Sequence, residues 1–366
     1  MNEKIKKIVI ATGGTGGHIF PAYSLAKHFK DKNIDVEIIS DKRGYKYLKD
    51  YDDIKVNIIS SSTIFNKNIF QLIFSILKII FATVRSFIFL LIKRPNLVFG
   101  MGGYSSFPTC IAAKILRIPF IVYENNLCIG KANKYLISLA EKVFVSHKVL
   151  EGVSEKYKEK ICEIGNIIRK EILNMNLEKT PDFNDDRLKI LILGGSQAAK
   201  VFAEELPKIF KKCLDVNINL TIYQQCLPDQ NTLLTTFYKD LNVEFEIFNF
   251  SNNILHYFLK TNLAITRSGS SMLAELINAK IPFISVPLPS SADDHQLKNA
   301  IYYEKNKYGY LVREEDIKID LFGLIRKINE QKSLLTQMIN RQRQYSDKRV
   351  YENIEKEITK IFNEKY

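Results

Sequence analysis

The chain has 366 residues, of which 46% are hydrophobic and 25% charged, a composition that is ordinary for a globular protein and excludes a disordered chain. Its length favours two domains, and its five cysteines, no two of which lie two to four residues apart, argue against a zinc site or a disulfide framework. The net charge is +13, and residues 1–165 carry +11 of it (25 Lys and Arg against 14 Asp and Glu), so a basic surface in the first half fits nucleic acid, anionic lipid, a phosphorylated substrate or simple solubility.

The first half of the chain alternates apolar runs of strand length with segments of helix length. Residues 1–7 lead directly into the apolar run Ile8–Ile10. This run is too short for the apolar part of a secretory signal, so a reducing cytoplasmic location is expected. The alternation predicts the α/β class, a parallel sheet with helices on both faces. The strands predicted in this half are Ile8–Ala11, Val36–Ser40, Leu97–Gly100, Phe120–Tyr123 and Lys142–Val145.

A glycine-rich loop follows the first predicted strand. Gly13–His18 lies between the strand ending at Ala11 and the helical segment Pro21–Lys30. Glycines there let backbone N–H groups approach an anion, and the start of the helix adds positive potential. The spacing matches neither the dinucleotide pattern G-x-G-x-x-G nor a P-loop, so the residues alone leave a generic anion-binding loop open.

The segment Ile69–Ile92 is the one candidate for membrane contact, since it is mostly Ile, Leu and Phe and long enough to span a bilayer. A polar stripe recurs along it at helical spacing, formed by Gln71, Ser75, Lys78, Ala82 and Arg85. Cations near the middle of a spanning helix cost about 2.5–3.5 kcal/mol each, so spanning is disfavoured. Two interpretations remain open: a helix buried under the sheet and an amphipathic helix lying in the lipid interface. An apolar arc this wide suits either. In the interfacial interpretation the flanking residues Lys67, Lys93 and Arg94 would anchor the helix at the lipid headgroups.

Two further glycine loops follow strands. Gly100–Ser106 follows Leu97–Phe99, and Gly194–Gln197 follows the predicted strand Leu188–Leu193 in the second half. Three such loops exceed what one nucleotide needs. Because open α/β sheets bind ligands at the carboxyl ends of their strands, the surplus indicates phosphates on both sides of an interdomain cleft.

The second half repeats the strand and helix pattern of the first. Its other predicted strands are Leu220–Gln224, Val243–Phe248, Leu263–Thr266 and Ile281–Val286. A polar, turn-rich stretch at 179–186 follows the Gly165-Asn166 pair and indicates a boundary near residues 165–187. The last segment is helical in pattern and longer than the second domain needs, so we expect it to return to the first domain.

Seven segments occur in the order and spacing of one known family. They read GGTGGHIFP, GMGGYSS, YENN, GNIIR, GGSQ, RSGSSMLAE and DDHQLKNA, and they resemble the MurG family from Ile8 to about Ala300. The resemblance implies a GT-B glycosyltransferase fold of two Rossmann-like domains facing across a cleft. It implies an acceptor and membrane-facing domain at 1–165, a donor domain at 166–341 and a final helix, about 342–366, packed on the first domain.

The resemblance also implies the reaction. The family transfers N-acetylglucosamine from its UDP carrier to the C4 hydroxyl of the muramyl sugar on undecaprenyl diphosphate, with inversion and without a metal or other cofactor. This chemistry belongs to peptidoglycan synthesis, cell shape and cell division. The implied partners are UDP-N-acetylglucosamine, the undecaprenyl-diphosphate-linked muramyl peptide, anionic lipid at the cytoplasmic face of the inner membrane and a cell-wall synthesis complex, and not nucleic acid.

Site residues carry over motif by motif. Ser196 and its loop bind the donor diphosphate with Arg169, Glu275 accepts the ribose hydroxyls, and Phe250 and Ser251 hold the uracil. The other donor-binding residues implied are Thr15, Gly16, Gly17, Asn126, Ser270, Gln296 and Asn299. The residues implied for the acceptor diphosphate are Gly14, Gly102, Gly103, Tyr104 and Ser105.

Inversion requires a base that takes the proton of the acceptor hydroxyl on the face opposite UDP. We assign this role to His18, because the start of a helix disfavours imidazolium and keeps the ring neutral. A histidine that only donates to phosphate or to the backbone is the alternative. His295 is expected in the sugar pocket rather than as a base, whereas His28, His147 and His256 lie outside the motifs.

Some residues depart from the family pattern. Ala198 replaces a glycine in the third loop, and Tyr123 and Asn125 replace the usual histidine and glutamine, which questions a role for residue 123 in acceptor binding. Ile167 replaces a proline, and we expect this to loosen the hinge. Asp293 and Asp294 would point apart in an extended segment and are not expected to hold a metal.

Two other functions stay open on the residues alone. A glucosyltransferase that makes diacylglycerol sugars would share the apolar helix and the UDP site, and a silent UDP-sugar sensor would bind the donor without turnover. The identity of the acceptor distinguishes the diacylglycerol glucosyltransferase from the MurG-like transferase. Turnover distinguishes the silent sensor from both enzymes.

Overall fold

The computed structural model describes residues 5–59, 61–62, 68–175, 186–195, 199–251 and 253–365. The chain divides into two compact units. The first is Met1–Arg169 together with Asp347–Tyr366, and the second is Lys170–Ser346. The polar stretch 176–185, the third-loop residues Ser196 and Ala198 and the flanking Lys67 lie outside the described residues.

The first unit contains a seven-stranded parallel sheet in the order β3-β2-β1-β4-β5-β6-β7. Strand β1 pairs with β4 so that Ile8 lies beside Leu97. Ile8, Ile10 and Phe99 are fully buried, which is why these strands are apolar at nearly every position. The strands are β1 (Lys7–Ala11), β2 (Asp35–Ser40), β3 (Lys55–Ile58), β4 (Leu97–Gly100), β5 (Phe120–Glu124), β6 (Lys142–Val145) and β7 (Ile161–Glu163).

The helices of the first unit lie between these strands in the chain, apart from the last one. Helix α1 begins directly at the first glycine loop, and α4 begins after the second. The helices are α1 (Gly16–Asp31), α2 (Lys42–Leu48), α3 (Ile69–Lys93), α4 (Phe107–Ile115), α5 (Lys131–Leu136) and α14 (Val350–Lys365).

Helix α14 packs on the first unit although it comes from the end of the chain. Glu355 lies 2.8 Å from Nε2 of the buried His28, and the ring of Tyr351 stacks on the same imidazole with centroids 4.4 Å apart. Burial alone would raise the pKa of the Glu355 carboxyl, but hydrogen bonds from His28 and Lys32 and their charges lower it overall. At neutral pH a carboxylate therefore anchors the returning helix.

Helix α3 turns its small residues inward and its large apolar residues outward. Its buried residues are Ser75, Ala82, Ser86 and Leu90, and the Ser86 hydroxyl lies 3.1 Å from that of Thr109 in α4. The predicted polar stripe therefore divides: Ser75 and Ala82 are buried, whereas Gln71, Lys78 and Arg85 are exposed. Exposed large residues include Phe70, Phe74, Ile80, Phe81, Ile88 and Ile92. Most of the helix is thus not buried under the sheet.

The second unit repeats the topology with a six-stranded parallel sheet in the order β10-β9-β8-β11-β12-β13. Its core joins Ile190, Ile192 and Ile265 of the sheet to Phe202 and Phe210 of the first helix after β8. The strands are β8 (Leu188–Leu193), β9 (Leu220–Gln225), β10 (Glu244–Phe248), β11 (Leu263–Thr266), β12 (Phe283–Ser285) and β13 (Tyr310–Leu311). The helices are α6 (Lys170–Leu173), α7 (Lys200–Asp215), α8 (Asn231–Asp240), α9 (Ile254–Phe258), α10 (Ser270–Asn278), α11 (His295–Lys305), α12 (Ile317–Glu330) and α13 (Ser333–Gln342).

Both sheets reverse their strand order at one point. In the first unit β1 and β4 are neighbours, and the chain continues from β1 to β2 on one side and from β4 to β5 on the other. In the second unit β8 and β11 are neighbours in the same way. Such switch points open a crevice at the carboxyl ends of the strands, where α/β proteins bind ligands. The α/β class with two Rossmann-like parallel sheets is confirmed, and each unit has one such switch point.

Candidate active site

The two glycine loops of the first unit meet at its switch point. One follows β1 and the other follows β4, and they touch so closely that a Cβ on Gly13 would lie 2.4 Å from the Cβ of Ser105. Residue 13 therefore has to be glycine. Gly14, Gly102 and Gly103 have φ values of 84°, 87° and 73°, a region that favours glycine. Gly14, Gly102, Gly103 and Ser105 thus lie close together, with Tyr104 part-exposed among them.

His18 lies in the first turn of α1 and rests against the second loop. A Cβ on Gly102 would lie 3.0 Å from Cε1 and 3.1 Å from Nδ1 of the His18 ring. The Asn125 side chain donates to the Gly17 carbonyl at 3.0 Å, so the end of β5 also supports this turn. His18 is part-exposed and lies at the carboxyl edge of the sheet.

A buried carboxylate that the motifs do not contain joins these loops. Asp41 follows β2 and accepts hydrogen bonds from the N–H groups of Gly14 at 3.1 Å and Gly44 at 2.8 Å, and from the Ser105 hydroxyl at 2.9 Å. Burial by itself would raise the pKa of Asp41, but these hydrogen bonds and the charge of Arg43 hold it below its usual range. Asp41 is therefore an anion at neutral pH.

Glu124 is a second buried carboxylate outside the predicted set. It ends β5 and accepts hydrogen bonds from Asn126 through both its N–H at 3.1 Å and its side chain at 3.0 Å. Gly130 N–H and the Asn133 side chain donate to its other oxygen at 2.8 and 2.9 Å. The predicted site residue Asn126 is thereby fixed at the carboxyl edge of the sheet.

Tyr123 and Ile167, two departures from the family pattern, contact each other. The Ile167 N–H donates to the Tyr123 hydroxyl at 3.0 Å, and that hydroxyl lies 2.9 Å from the Ser146 Oγ. Burial raises the pKa of Tyr123, so the phenol is neutral. A proline at 167 has no N–H to donate. The segment that we expected to be loosened is therefore held by a hydrogen bond that only a residue other than proline allows.

Arg169 ends the first unit and lies beside its first helix. Its guanidinium carbon is 5.1 Å from the centre of the Phe20 ring, a cation–π contact one turn along α1 from the first glycine loop. The predicted donor residues Thr15, Gly16 and Gly17 open the same helix. Arg169 and these three residues therefore lie at the same end of α1.

In the second unit the predicted donor residues collect at the carboxyl edge of the sheet. Gly195, with φ of 76°, follows β8, and Ser270 and Glu275 belong to α10, which follows β11. Glu275 is only 3% exposed and Ser270 5%. Ser196, the predicted diphosphate ligand, lies outside the described residues.

The remaining donor residues lie on either side of this switch point. Phe250 follows the edge strand β10 and is 45% exposed, and the Ser251 hydroxyl accepts from Asn253 N–H at 3.1 Å. In α11, the Gln296 side chain accepts from Leu288 N–H at 3.0 Å, and the buried Asn299 donates to the Ser268 carbonyl at 3.2 Å. Asn299 thus ties α11 to the loop that precedes α10.

Arg267 in the RSGSS segment was not assigned a role and has a structural one. Its guanidinium donates to the Val286 and Pro287 carbonyls at 3.3 Å each and pairs with Glu314. This binds the ends of β11 and β12 together and fixes the entry to α10. The signal in the sequence was a cation directly after a buried strand.

The described residues contain no group of three or more His, Cys, Asp or Glu side chains that could hold a metal ion. Asp293 and Asp294 are not extended as predicted, because both have φ near 54° in a tight turn before α11. The Asp-x-Asp triplet of the sequence, Asp50-Tyr51-Asp52, has both aspartates exposed between α2 and β3, away from the carboxyl edge of the sheet.

The other four histidines differ from His18 in their contacts and burial. Burial lowers the pKa of His147 to about 4, so its ring is neutral. His28 pairs with Glu355, His256 is exposed, and the His295 Nδ1 lies 2.7 Å from the Ala292 carbonyl.

Comparison with known proteins identifies the family. The Glycosyltransferase family 28 N-terminal domain matches residues 8–145, and the Glycosyltransferase family 28 C-terminal domain matches residues 189–358. A relative from Pelagibacter ubique, named UDP-N-acetylglucosamine–N-acetylmuramyl-(pentapeptide) pyrophosphoryl-undecaprenol N-acetylglucosamine transferase, is 34% identical over 98% of this chain and 99% of its own. A relative of the same name from Francisella tularensis is 31% identical over the full length of both chains.

The solved structures agree with the sequence relatives. MurG of Acinetobacter baumannii superposes with a TM-score of 0.74 at 25% identity, covering 97% of this chain and 99% of that one. A UDP complex of MnaA from S. aureus, at 15% identity and a TM-score of 0.70 over 98% of this chain and 97% of that one, shares the fold alone. The chain therefore belongs to glycosyltransferase family 28, and within it to the MurG family of N-acetylglucosamine transferases.

Proposed function

We propose that this protein transfers N-acetylglucosamine from UDP-N-acetylglucosamine to the C4 hydroxyl of the muramyl sugar in undecaprenyl-diphosphate-linked N-acetylmuramyl pentapeptide. The product is the disaccharide lipid used in peptidoglycan synthesis. The observation that carries the proposal is the contact of the His18 ring with the second glycine loop at a strand switch point, in a chain whose full-length relatives carry this activity in their names. That arrangement puts a base beside backbone groups suited to a diphosphate.

We assign the acceptor to the first unit. Its region 1–165 holds nearly all of the net positive charge, and its two glycine loops offer backbone N–H groups at helix starts. Gly102, Gly103 and Tyr104 are the proposed contacts for the acceptor diphosphate, with Gly14 and Ser105 completing the loops. An anionic lipid-linked substrate at a membrane surface matches such a basic face.

We assign the UDP-sugar to the second unit, with help from residues of the first. Glu275 is the proposed acceptor for the ribose hydroxyls, and Phe250 and Ser251 the uracil contacts. Ser196, Ser270 and Arg169 are proposed for the diphosphate, and Gln296, Asn299, Asn126 and Thr15–Gly17 for the sugar. Support comes from the position of the described members at the carboxyl edges of their sheets, where α/β proteins bind nucleotides.

The proposed chemistry is a single displacement. The acceptor O4 loses its proton to the His18 imidazole and forms a bond to C1 of N-acetylglucosamine, while the bond from C1 to the UDP oxygen breaks and UDP leaves with the electron pair. One displacement inverts the configuration at C1. We propose that Arg169 and the start of α7 stabilise the charge on departing UDP, in place of a metal ion.

We propose that the protein lies on the cytoplasmic face of the cell membrane, held by α3. Within the described residues, α3 is the helix that is long and apolar enough to cross a bilayer. Of the residues in its most apolar 18-residue stretch, 22% are buried against the protein. Its large side chains are exposed, and Lys78 lies 4.5 Å from the centre of the Phe74 ring. A helix with one face packed on a domain suits an interfacial position better than a spanning one.

Replacing Phe74 and Phe81 by serine should weaken binding to vesicles of phosphatidylglycerol and phosphatidylethanolamine by about tenfold or more. Burying one phenylalanine side chain is worth about 1.5–3 kcal/mol, and both rings are more than half exposed in the protein. Sedimentation with the vesicles measures the bound fraction. The matched control is the double variant Ile319→Ser with Leu259→Ser, which replaces two exposed apolar residues of the second unit. This control should bind the vesicles like the unmodified protein. Equal binding by both double variants would remove α3 from this role.

The proposed acceptor is tested with a panel of acceptors and labelled UDP-N-acetylglucosamine. Lipid-linked muramyl pentapeptide should accept label, whereas diacylglycerol should not. Label on diacylglycerol would favour a glycolipid transferase, and donor binding with no product on either acceptor would favour a sensor.

A further inference from the structure

Asp41 occupies an unusual place for a negative charge. It lies beside two loops proposed to bind the acceptor diphosphate, yet it is only 7% exposed and is not part of any glycine loop. It is the residue between β2 and α2, and its Oδ1 accepts from Gly44 N–H at the start of α2. A helix cap alone needs one oxygen, as serine or threonine would supply.

Besides the helix cap and an ion pair with Arg43 at 3.3 Å, the carboxylate joins the two loops. Oδ1 also accepts from Gly14 N–H in the loop after β1, and Oδ2 accepts from the Ser105 hydroxyl in the loop after β4. A carboxylate accepts several hydrogen bonds through two oxygens, which no hydroxyl side chain does. One side chain directly after β2 therefore links two loops that follow different strands.

This separation determines where the proposed base lies. The His18 ring follows the first loop and rests against Gly102 of the second, so closely that a Cβ at that glycine would lie only 3.0 Å from the ring. If the second loop moved away, the imidazole would lose the surface on which it rests. The hydrogen of the Ser105 hydroxyl is directed to Asp41, so this serine serves as a link between loops as well as a lining residue.

We propose that Asp41 is a positioning residue for the acceptor: it holds the two glycine loops at the spacing that places His18 against the acceptor hydroxyl. The proposal rests on the proposed function. It predicts a defect in acceptor use while UDP itself binds normally, because the proposed uracil and ribose contacts belong to the second unit.

The variant that tests this is Asp41→Ser, because serine keeps a cap for α2 and removes the second oxygen. We expect the KM for the acceptor to rise about tenfold and kcat to fall, with the dissociation constant for UDP unchanged; a buried charge-assisted hydrogen bond has this order of effect. Asp35→Ser, at the other end of β2 where Asp35 is exposed and pairs with Lys7, is the matched control and should behave like the unmodified protein. An unchanged acceptor KM in Asp41→Ser would overturn the proposal.

A double-mutant cycle separates a link from a direct ligand. Ser105→Ala should lower kcat/KM for the acceptor about tenfold in the unmodified protein but less than about twofold in Asp41→Ser, because the shared contact is already lost. The same factor in both backgrounds would mean that Ser105 acts on the acceptor without Asp41, and the proposal would fail.

A measurement without turnover keeps this inference separate from the proposed function. Amide hydrogen exchange in the peptides that cover residues 12–18 and 101–106 should be faster in Asp41→Ser than in Asp35→Ser. Absence of product from the unmodified protein would refute the function, whereas unchanged exchange in Asp41→Ser would refute the loop contact itself.

Discussion

Replacing His18 by alanine is expected to lower the rate of transfer by about 10² to 10⁴, the range typical of a lost general base, while leaving UDP affinity unchanged. The acceptor hydroxyl would then have no group to take its proton as the bond to C1 forms. UDP affinity is expected to persist because the proposed uracil and ribose contacts, Phe250, Ser251 and Glu275, belong to the second unit. Single-turnover transfer measures the first quantity and titration calorimetry with UDP measures the second.

The control for this variant is His256→Ala, since His256 is exposed on α9 of the second unit. It should transfer at the unmodified rate. If His18→Ala also transferred at that rate, His18 would be a ligand or a packing residue and another base would have to be found. If it lost UDP affinity as well, its role would be in donor binding.

Replacing Glu275 by alanine should weaken UDP about 10- to 100-fold. Glu275 is 3% exposed at the carboxyl edge of the second sheet, and ribose hydroxyls that lose a buried, charged acceptor lose about 1.5–3 kcal/mol. Titration calorimetry gives the dissociation constant directly. Glu330→Ala is the control, because Glu330 is exposed and pairs only at the surface with Arg326.

A deoxy analogue makes this test specific to ribose. The unmodified protein should bind 2′-deoxy-UDP more weakly than UDP, and Glu275→Ala should bind the two about equally, because the group that distinguishes them is gone. Discrimination that persists undiminished in Glu275→Ala would mean that another residue holds the ribose and that the second unit has been misassigned.

The central strands of both sheets were predictable from sequence, whereas of the four edge strands only β10 was predicted. Strands β4, β6, β8 and β11 have the predicted bounds, because a strand buried on both faces needs a continuous apolar run. The unpredicted strands β3, β7 and β13 all lie at a sheet edge, and they read KVNI, ICE and YL. A short strand with one free edge and a part-exposed surface leaves little hydrophobic pattern.

Helix α3 shows why periodicity alone could not place its faces. The stripe of Gln71, Ser75, Lys78, Ala82 and Arg85 was interpreted as one polar face, yet Ser75 and Ala82 are buried. Small residues allow close approach to α4, whereas the bulky residues remain outside. In α3, the usual rule that large apolar residues face inward is therefore reversed.

The glycine loops were predictable because a short run with a fixed order carries their geometry. Asp41 was missed for the opposite reason, because this carboxylate acts on loops distant in sequence, whereas Glu124 was missed although its partners lie only two to nine residues away. Asp41 lies 64 residues from Ser105, and only the neighbouring positions of β2, β1 and β4 bring them together. The pairing of Tyr123 with Ile167, 44 residues apart, was hidden in the same way, and it explains two departures from the family pattern with one hydrogen bond.

The most direct test of the proposed activity is transfer of labelled N-acetylglucosamine from UDP to lipid-linked muramyl pentapeptide in detergent with EDTA present. The account predicts a metal-independent product in which the new bond joins C1 to the muramyl O4 with inverted configuration. Donor binding without product, or product only after a divalent metal is restored, would contradict it.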